Sequence, residues 1–158
     1  MSGMEVRKFR NGEEVELWEL FYNTVLNVNV QDYDQNQLAA WAPKDFDIDI
    51  AIQKFREIDP FVVIKDGKIF GYADIQSDGY IDHFYCHHEF QRQGVGRLLF
   101  AALEEVAREI GILEMYSNVS ITARPFFEAM GFSVEKEQIV QVGDQKLKNY
   151  KMVRRRSE

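Results

Sequence analysis

The spacing of apolar residues changes several times along the chain, and each change predicts an element. Val6 to Phe9 is a short run that suits an edge strand. From Glu13 the pattern turns helical: Leu17, Phe21 and Val25 recur at four-residue spacing, with Trp18 and Leu20 widening the face. Glu13, Glu14 and Glu16 suit the positive end of that helix dipole. Asp34 is placed to cap a second short helix through Leu38 to Trp41, which Pro43 stops. A third helix is expected over Asp47 to Ile58, with Ile48, Ile52 and Phe55 on one side. The period then shortens. Phe61 to Ile64 is a β-branched run, Asp66-Gly67 signals a hairpin, and Ile69 to Ile75 is the antiparallel partner.

Tyr80 to Cys86 reads as one further strand after the Ser77-Asp78-Gly79 turn. Gly94 to Ile110 is the clearest helix: Leu98, Ala102, Val106 and Ile110 form one row, Leu99 and Leu103 the next, and Gly111 ends it. Ile112 to Tyr116 would lie parallel to Tyr80–Cys86 if the helix crosses over between them. A short helix from about Ala123 to Met130 and two strands, Phe132–Val142 and Gln145–Val153 joined by Gly143-Asp144, complete the pattern. The fold class is α+β with a mixed central sheet.

The 158 residues hold 19 Lys+Arg against 26 Asp+Glu, a formal charge of −7, and one cysteine. The length suits one domain of about 100–200 residues, here the whole of 1–158 with its core at about 4–153. A lone cysteine forms no internal disulfide, and an acidic chain lacks the basic face that nucleic acid requires. No apolar stretch approaches the roughly 20 residues of a membrane span, and Met1 to Arg10 has no signal-peptide core. Neither a nucleic-acid nor a membrane partner is expected, and the cytoplasm is the default compartment.

The most informative segment is Gln91-Arg92-Gln93-Gly94-Val95-Gly96-Arg97, between a strand and a strong helix. Two glycines allow close backbone approach, the helix N-terminus favours an anion, and Arg92 and Arg97 add positive charge, so a pyrophosphate suits the loop. The plain alternative is a tight turn that binds nothing. The loop lacks both the Gly-Lys-Ser/Thr of a nucleotide-triphosphate loop and the third glycine of the dinucleotide fingerprint.

Gln91-x-x-Gly94-x-Gly96 after a strand ending Phe84-Tyr85-Cys86 resembles the acetyl-CoA signature of the GCN5-related N-acetyltransferases (GNAT). Ser120-Ile121-Thr122-Ala123-Arg124-Pro125-Phe126-Phe127-Glu128-Ala129-Met130-Gly131-Phe132 is similar to that family's second motif. Asp32 to Gln35 and Gln37 to Pro43 further resemble a poorly characterised bacterial subgroup. The resemblance implies a splayed, mostly antiparallel sheet flanked by helices, and direct transfer of an acetyl group from acetyl-CoA to a primary amine of a small molecule or peptide. It implies CoA contacts from the loop Gln91, Arg92, Gln93, Gly94, Val95, Gly96 and Arg97, from the strand end Phe84, Tyr85 and Cys86, from Ser120, which replaces the family's usual Asn, and from Phe127. An N–H near Cys86 would polarise the thioester carbonyl. The family's frequent acid is a Tyr; Phe127 stands there instead, with Tyr85, Tyr116 and Tyr150 as candidates for the vacant role.

Asp82 is the first candidate for the general base and His83 the second, on the strand before the loop. Tyr33 and Trp41 are candidates for the acceptor side, where the rival reading is core packing. No metal is expected: His83, Cys86, His87 and His88 alternate between faces, and the Asp32-x-Asp34-x-Asn36 opening has Gln37 and Pro43 where a calcium loop needs Gly and Glu. A non-catalytic acyl-CoA-binding module and a transferase of longer acyl groups are the rival functions, and a homodimer is common in the family.

Overall fold

The protein is described by a computed structural model over residues 3–156. Its strands form two four-stranded sheets rather than one continuous sheet. The first contains β1 (Glu5–Lys8), β2 (Phe61–Lys65), β3 (Lys68–Ala73) and β5 (Phe84–Cys86) in the order β1-β2-β3-β5, all antiparallel. The second contains β4 (Tyr80–Ile81), β6 (Glu114–Ser120), β8 (Gln145–Arg155) and β7 (Ser133–Val142) in the order β4-β6-β8-β7. Among the described strands only β4 and β6 pair in parallel, with Tyr80 opposite Tyr116 and Ile81 opposite Ser117. The β2–β3 turn follows the Asp-Gly signal: Asp66 and Gly67 take φ of 51° and 75°, the doubly positive pair of a type I′ hairpin.

Both faces of the first sheet are covered, and strand alternation, interrupted by a bulge at Phe70 opposite Val63 and Ile64, sorts its side chains between two cores. Val63, Phe70 and Ala73 face α4 (Val95–Ile110), packing with Leu99 and Leu103. Val62, Ile69 and Tyr72 face α1 (Glu14–Asn27) and α3 (Ile48–Ile58), packing with Leu17, Val25 and Phe55. Gly71 permits the close approach of α4, since a Cβ there would stand 2.7 Å from Val95 Cγ1. Two shorter helices, α2 (Gln35–Trp41) and α5 (Arg124–Ala129), flank the opening between the sheets. Asp34 caps α2 as expected, in a reciprocal box with Gln37.

Three local expectations need correction. The strand expected over Tyr80 to Cys86 is broken after Ile81, and its halves join different sheets. Helix α3 buries Ala51, Phe55 and Ile58, leaving Ile48 exposed, because the buried stripe follows the 3.6-residue turn and not the Ile48–Ile52 spacing. In α4 the second row is the core row: Leu99 and Leu103 are fully buried, whereas Ile110 is 56% exposed.

Candidate active site

A cleft of about 710 Å³ opens where the two sheets part. On one side lies β5, the edge strand of its sheet; on the other lies the end of β6, whose pairing with β4 stops at Ser117. Two unpaired strand edges, Phe84–Cys86 and Asn118–Ser120, therefore line the same opening. The main-chain groups of His83 and His87 bond toward β3, so the two-residue alternation turns those of Phe84 and Cys86 to the open edge. The Cys86 carbonyl accepts from Gln91 Nε2 at 2.7 Å and from Thr24 Oγ1 at 3.2 Å, fixing the strand end to the loop and to α1.

The loop then turns into α4 through two left-handed residues, Arg92 (φ 61°) and Gly94 (φ 86°). No side chain caps α4, and Val95, Gly96 and Arg97 line the cleft with the first-turn N–H groups that such a helix leaves without internal partners. The two glycines differ in what they do. A Cβ at Gly94 would meet open space, whereas one at Gly96 would stand 2.8 Å from the Phe126 ring. Gly94 serves the turn and the open approach; Gly96 makes room for an aromatic side chain of α5. Gln93 is exposed and stands outside the cleft wall.

Ser120 Oγ accepts the Ala123 N–H at 3.0 Å and receives Asn29 Nδ2 at 3.4 Å, so this hydroxyl organises the turn into α5. Thr122 Oγ1 is buried in the cleft wall without a hydrogen-bond partner, a polar atom left for a ligand. Phe127 is 3% exposed and sets its ring edge-on to Phe84 and Phe132, filling its site as an apolar group. Among the three tyrosines considered for its missing hydroxyl, only Tyr85 lines the cleft; Tyr116 donates to Asp78 at 2.6 Å and Tyr150 stacks under Arg124. Burial raises the Tyr85 phenol, which stays protonated. Burial also pushes the Cys86 thiol up to about 12, so it is no thiolate nucleophile.

Asp82 stands in the break between β4 and β5 and lines the cleft, with its carboxylate 2.6 Å from Lys54 Nζ. His83 turns the other way. Its Nδ1 lies 2.9 Å from the Tyr72 hydroxyl, its ring packs among Phe21, Phe55, Tyr72 and Tyr85, and burial lowers its pKa to about 4. The candidate bases are thus separated, Asp82 to the cleft and His83 into the second core. The acceptor-side pair is separated too: Trp41 lines the cleft, whereas Tyr33 is 6% exposed, with its hydroxyl donating to the Lys148 carbonyl and accepting the Ile121 N–H. Core packing is what the structure assigns to Tyr33.

Sequence reasoning missed Asp74, which follows β3 and accepts the N–H groups of both Asp82 (3.1 Å) and His83 (2.6 Å) on one carboxylate oxygen. Nothing local announces that role, because its partners lie eight and nine residues downstream. His87, His88 and Glu89 bring ligand-capable atoms within 4.8 Å of one another. The two imidazoles are stacked 15° from parallel, so their in-plane lone pairs do not converge on a common ion, and His87 Nδ1 is taken by the Glu89 N–H.

The acetyltransferase (GNAT) domain family matches residues 29–152. An uncharacterized N-acetyltransferase, YafP of Escherichia coli, is 28% identical over 141 residues, 89% of each chain. A GCN5-related N-acetyltransferase structure from Rhodopseudomonas palustris superposes with a TM-score of 0.93 at 23% identity, covering 98% of this chain and 97% of that one. The structure of yncA from Salmonella typhimurium with acetyl-CoA superposes at 0.73 with 20% identity, covering 99% and 95%. The family match spans most of the chain, and this protein belongs to the GNAT acetyltransferase family.

Proposed function

We propose that this N-acetyltransferase uses acetyl-CoA as donor and passes its acetyl group directly to a primary amine within the cleft between the sheets. The observation that carries the reading is the pair of free strand edges, Phe84–Cys86 and Asn118–Ser120, running toward the uncapped start of α4. An extended chain with amide groups fits such a slot in the manner of an added strand, and a diphosphate fits the helix end. The orphaned Thr122 hydroxyl and the open space at Gly94 suit the same occupant. The relative from Salmonella typhimurium, solved with acetyl-CoA, supports this choice of donor.

Acetyl-CoA supplies an activated acyl group on a thiol of moderate basicity. The outward N–H groups of Phe84 and Cys86 are the donors available to a thioester oxygen; preorganised donors of this kind contribute about 3–4 kcal/mol each in other acyl transfers. Asp82 takes the proton as the amine nitrogen bonds to the carbonyl carbon. The carbon–sulfur bond breaks and the thiolate departs, which at neutral pH needs no obligatory acid, in keeping with Phe127 at that position. Trp41 and Asp82 give the acceptor side an aromatic face and an anion, a pairing that favours a cationic amine.

Calorimetric titration of acetyl-CoA into the wild type and Gly94→Glu, followed by CoA release with a panel of primary amines, tests the reading. Binding that Gly94→Glu abolishes, with release that Asp82→Asn lowers about a hundredfold, is the expected result. A folded wild type that binds no acetyl-CoA overturns it, and binding without release for any amine points to an acyl-CoA-binding module instead.

A further inference from the structure

The two residues between β4 and β5 belong to neither sheet, so strand pairing provides no acceptor for their N–H groups. One buried carboxylate receives both. Asp74, 1% exposed, accepts from Asp82 N at 3.1 Å and from His83 N at 2.6 Å through Oδ1, while its own N–H donates to the His83 carbonyl at 3.2 Å. Its Oδ2 accepts Gln76 Nε2 at 2.7 Å, and that amide also reaches the Ile58 carbonyl at 3.2 Å, which ties the cluster to the end of α3. The donors to Asp74 are amides, and Lys54 is held by Asp82. A carboxylate hidden from water is costly even when hydrogen-bonded, and the core on either side is filled by apolar groups that need no such anchor.

What Asp74 fixes is the gap itself. The amides it holds belong to Asp82, whose carboxylate faces the cleft, and to His83, the residue immediately before the free edge at Phe84. We propose that Asp74 is a positioning residue for acyl transfer: by gripping two successive amides it holds the break between β4 and β5 and aims the Asp82 side chain into the cleft. The proposal rests on the reading that acyl transfer takes place in this cleft.

The groups facing Asp74 are Asp82 and His83 from the break, Tyr72 from β3, Tyr80 from β4, and Lys54 through Asp82 from α3. Burial pushes its own pKa up to about 6 against the pull of the amides, so the clamp titrates near neutrality. A protonated carboxyl is a weaker acceptor than a carboxylate, and the grip on the two amides loosens as pH falls through that range.

Nitrogen-edited NMR of the full chain reads the clamp directly. In the wild type the Asp82 and His83 amide protons should lie downfield and move together with a midpoint near pH 6, and in Asp74→Asn, which keeps the shape and loses the charge, that titration should vanish. With acetyl-CoA and a panel of primary amines, Asp74→Asn should lower kcat about tenfold to a hundredfold while the acetyl-CoA Kd stays within about threefold, because the loop at Gly94 is built independently. Asp74→Ala is expected to be worse in kcat, and retained acetyl-CoA binding certifies its fold. Unchanged kcat in Asp74→Asn, or amides that never titrate together, overturns the proposal. A wild type that releases CoA with no amine removes the catalytic half along with the reading beneath it, and the amide titration alone then upholds or overturns the clamp.

Discussion

The Lys54 ammonium lies 2.6 Å from an Asp82 carboxylate oxygen, so a primary amine of the protein itself occupies the cleft-lining anion. Burial works against the Lys54 charge, but the hydrogen bond to Asp82 and the surrounding carboxylates outweigh it, and its pKa is raised. An acceptor that approaches as a cation meets a competitor already in place. Both partners are partly exposed, so the pair itself contributes at most about 1 kcal/mol to stability. Lys54→Met should therefore leave the melting temperature within a few degrees. In steady-state kinetics it should lower KM for a cationic amine about threefold to tenfold with kcat little changed, the pattern of altered ground-state binding. A raised KM would mean that Lys54 helps the acceptor instead of competing with it.

Gly94 and Gly96 fail for different reasons when replaced. Gly94→Ala meets no atom within 4 Å but must hold φ of 86°, at a cost of about 1–2 kcal/mol from the left-handed backbone. Gly96→Ala drives a methyl into the Phe126 ring and displaces α5, so it should weaken acetyl-CoA binding through the wall and not through the loop. Calorimetry on Gly96→Ala with and without Phe126→Leu separates the two: the second change should restore most of the lost affinity.

Tyr33→Phe removes a hydroxyl that joins the Lys148 carbonyl to the Ile121 N–H in the core. Leaving both groups unsatisfied should cost about 1–3 kcal/mol in urea unfolding, with KM for every amine unchanged. A selective rise in KM would return Tyr33 to the acceptor site.

Acid stability should reflect two buried groups that oppose each other. His83 has a folded pKa near 4, below its ordinary 6.5, so it disfavours the folded state as pH falls from about 6.5 toward 4. Asp74 is raised from 3.8 to about 6, so its contribution grows more favourable as pH falls through the same window. The wild type should show a shallow dependence there. Asp74→Asn should steepen the loss of melting temperature on acidification, and His83→Gln should turn it into a gain.

Much of this was legible from local pattern. The 3.6-residue row of Leu99 and Leu103, the Asp66-Gly67 hairpin and the strand-loop-helix around Gly94 are each governed by neighbours in sequence, and each formed as read. The break after Ile81 was not, because no Gly or Pro inside Tyr80 to Cys86 marks a stop and what parts it is a carboxylate from the end of β3. The opposite fates of Asp82 and His83 follow from that break. Tyr33 and Trp41 are alike in sequence as acceptor-side candidates with core packing as the rival reading, and only the tertiary arrangement of β6 and β8 tells them apart.

The contact between Gly96 and Phe126 has a consequence for how this chain can vary. The first turn of α4 is held against an aromatic side chain thirty residues away, so the two positions form a lock and its key. A smaller side chain at 126 would release 96 from being glycine, whereas any side chain at 96 demands a retreat at 126. Descendants of this sequence should therefore change the two positions together or neither, and the pair would surface as a covarying couple long before either position stood out alone.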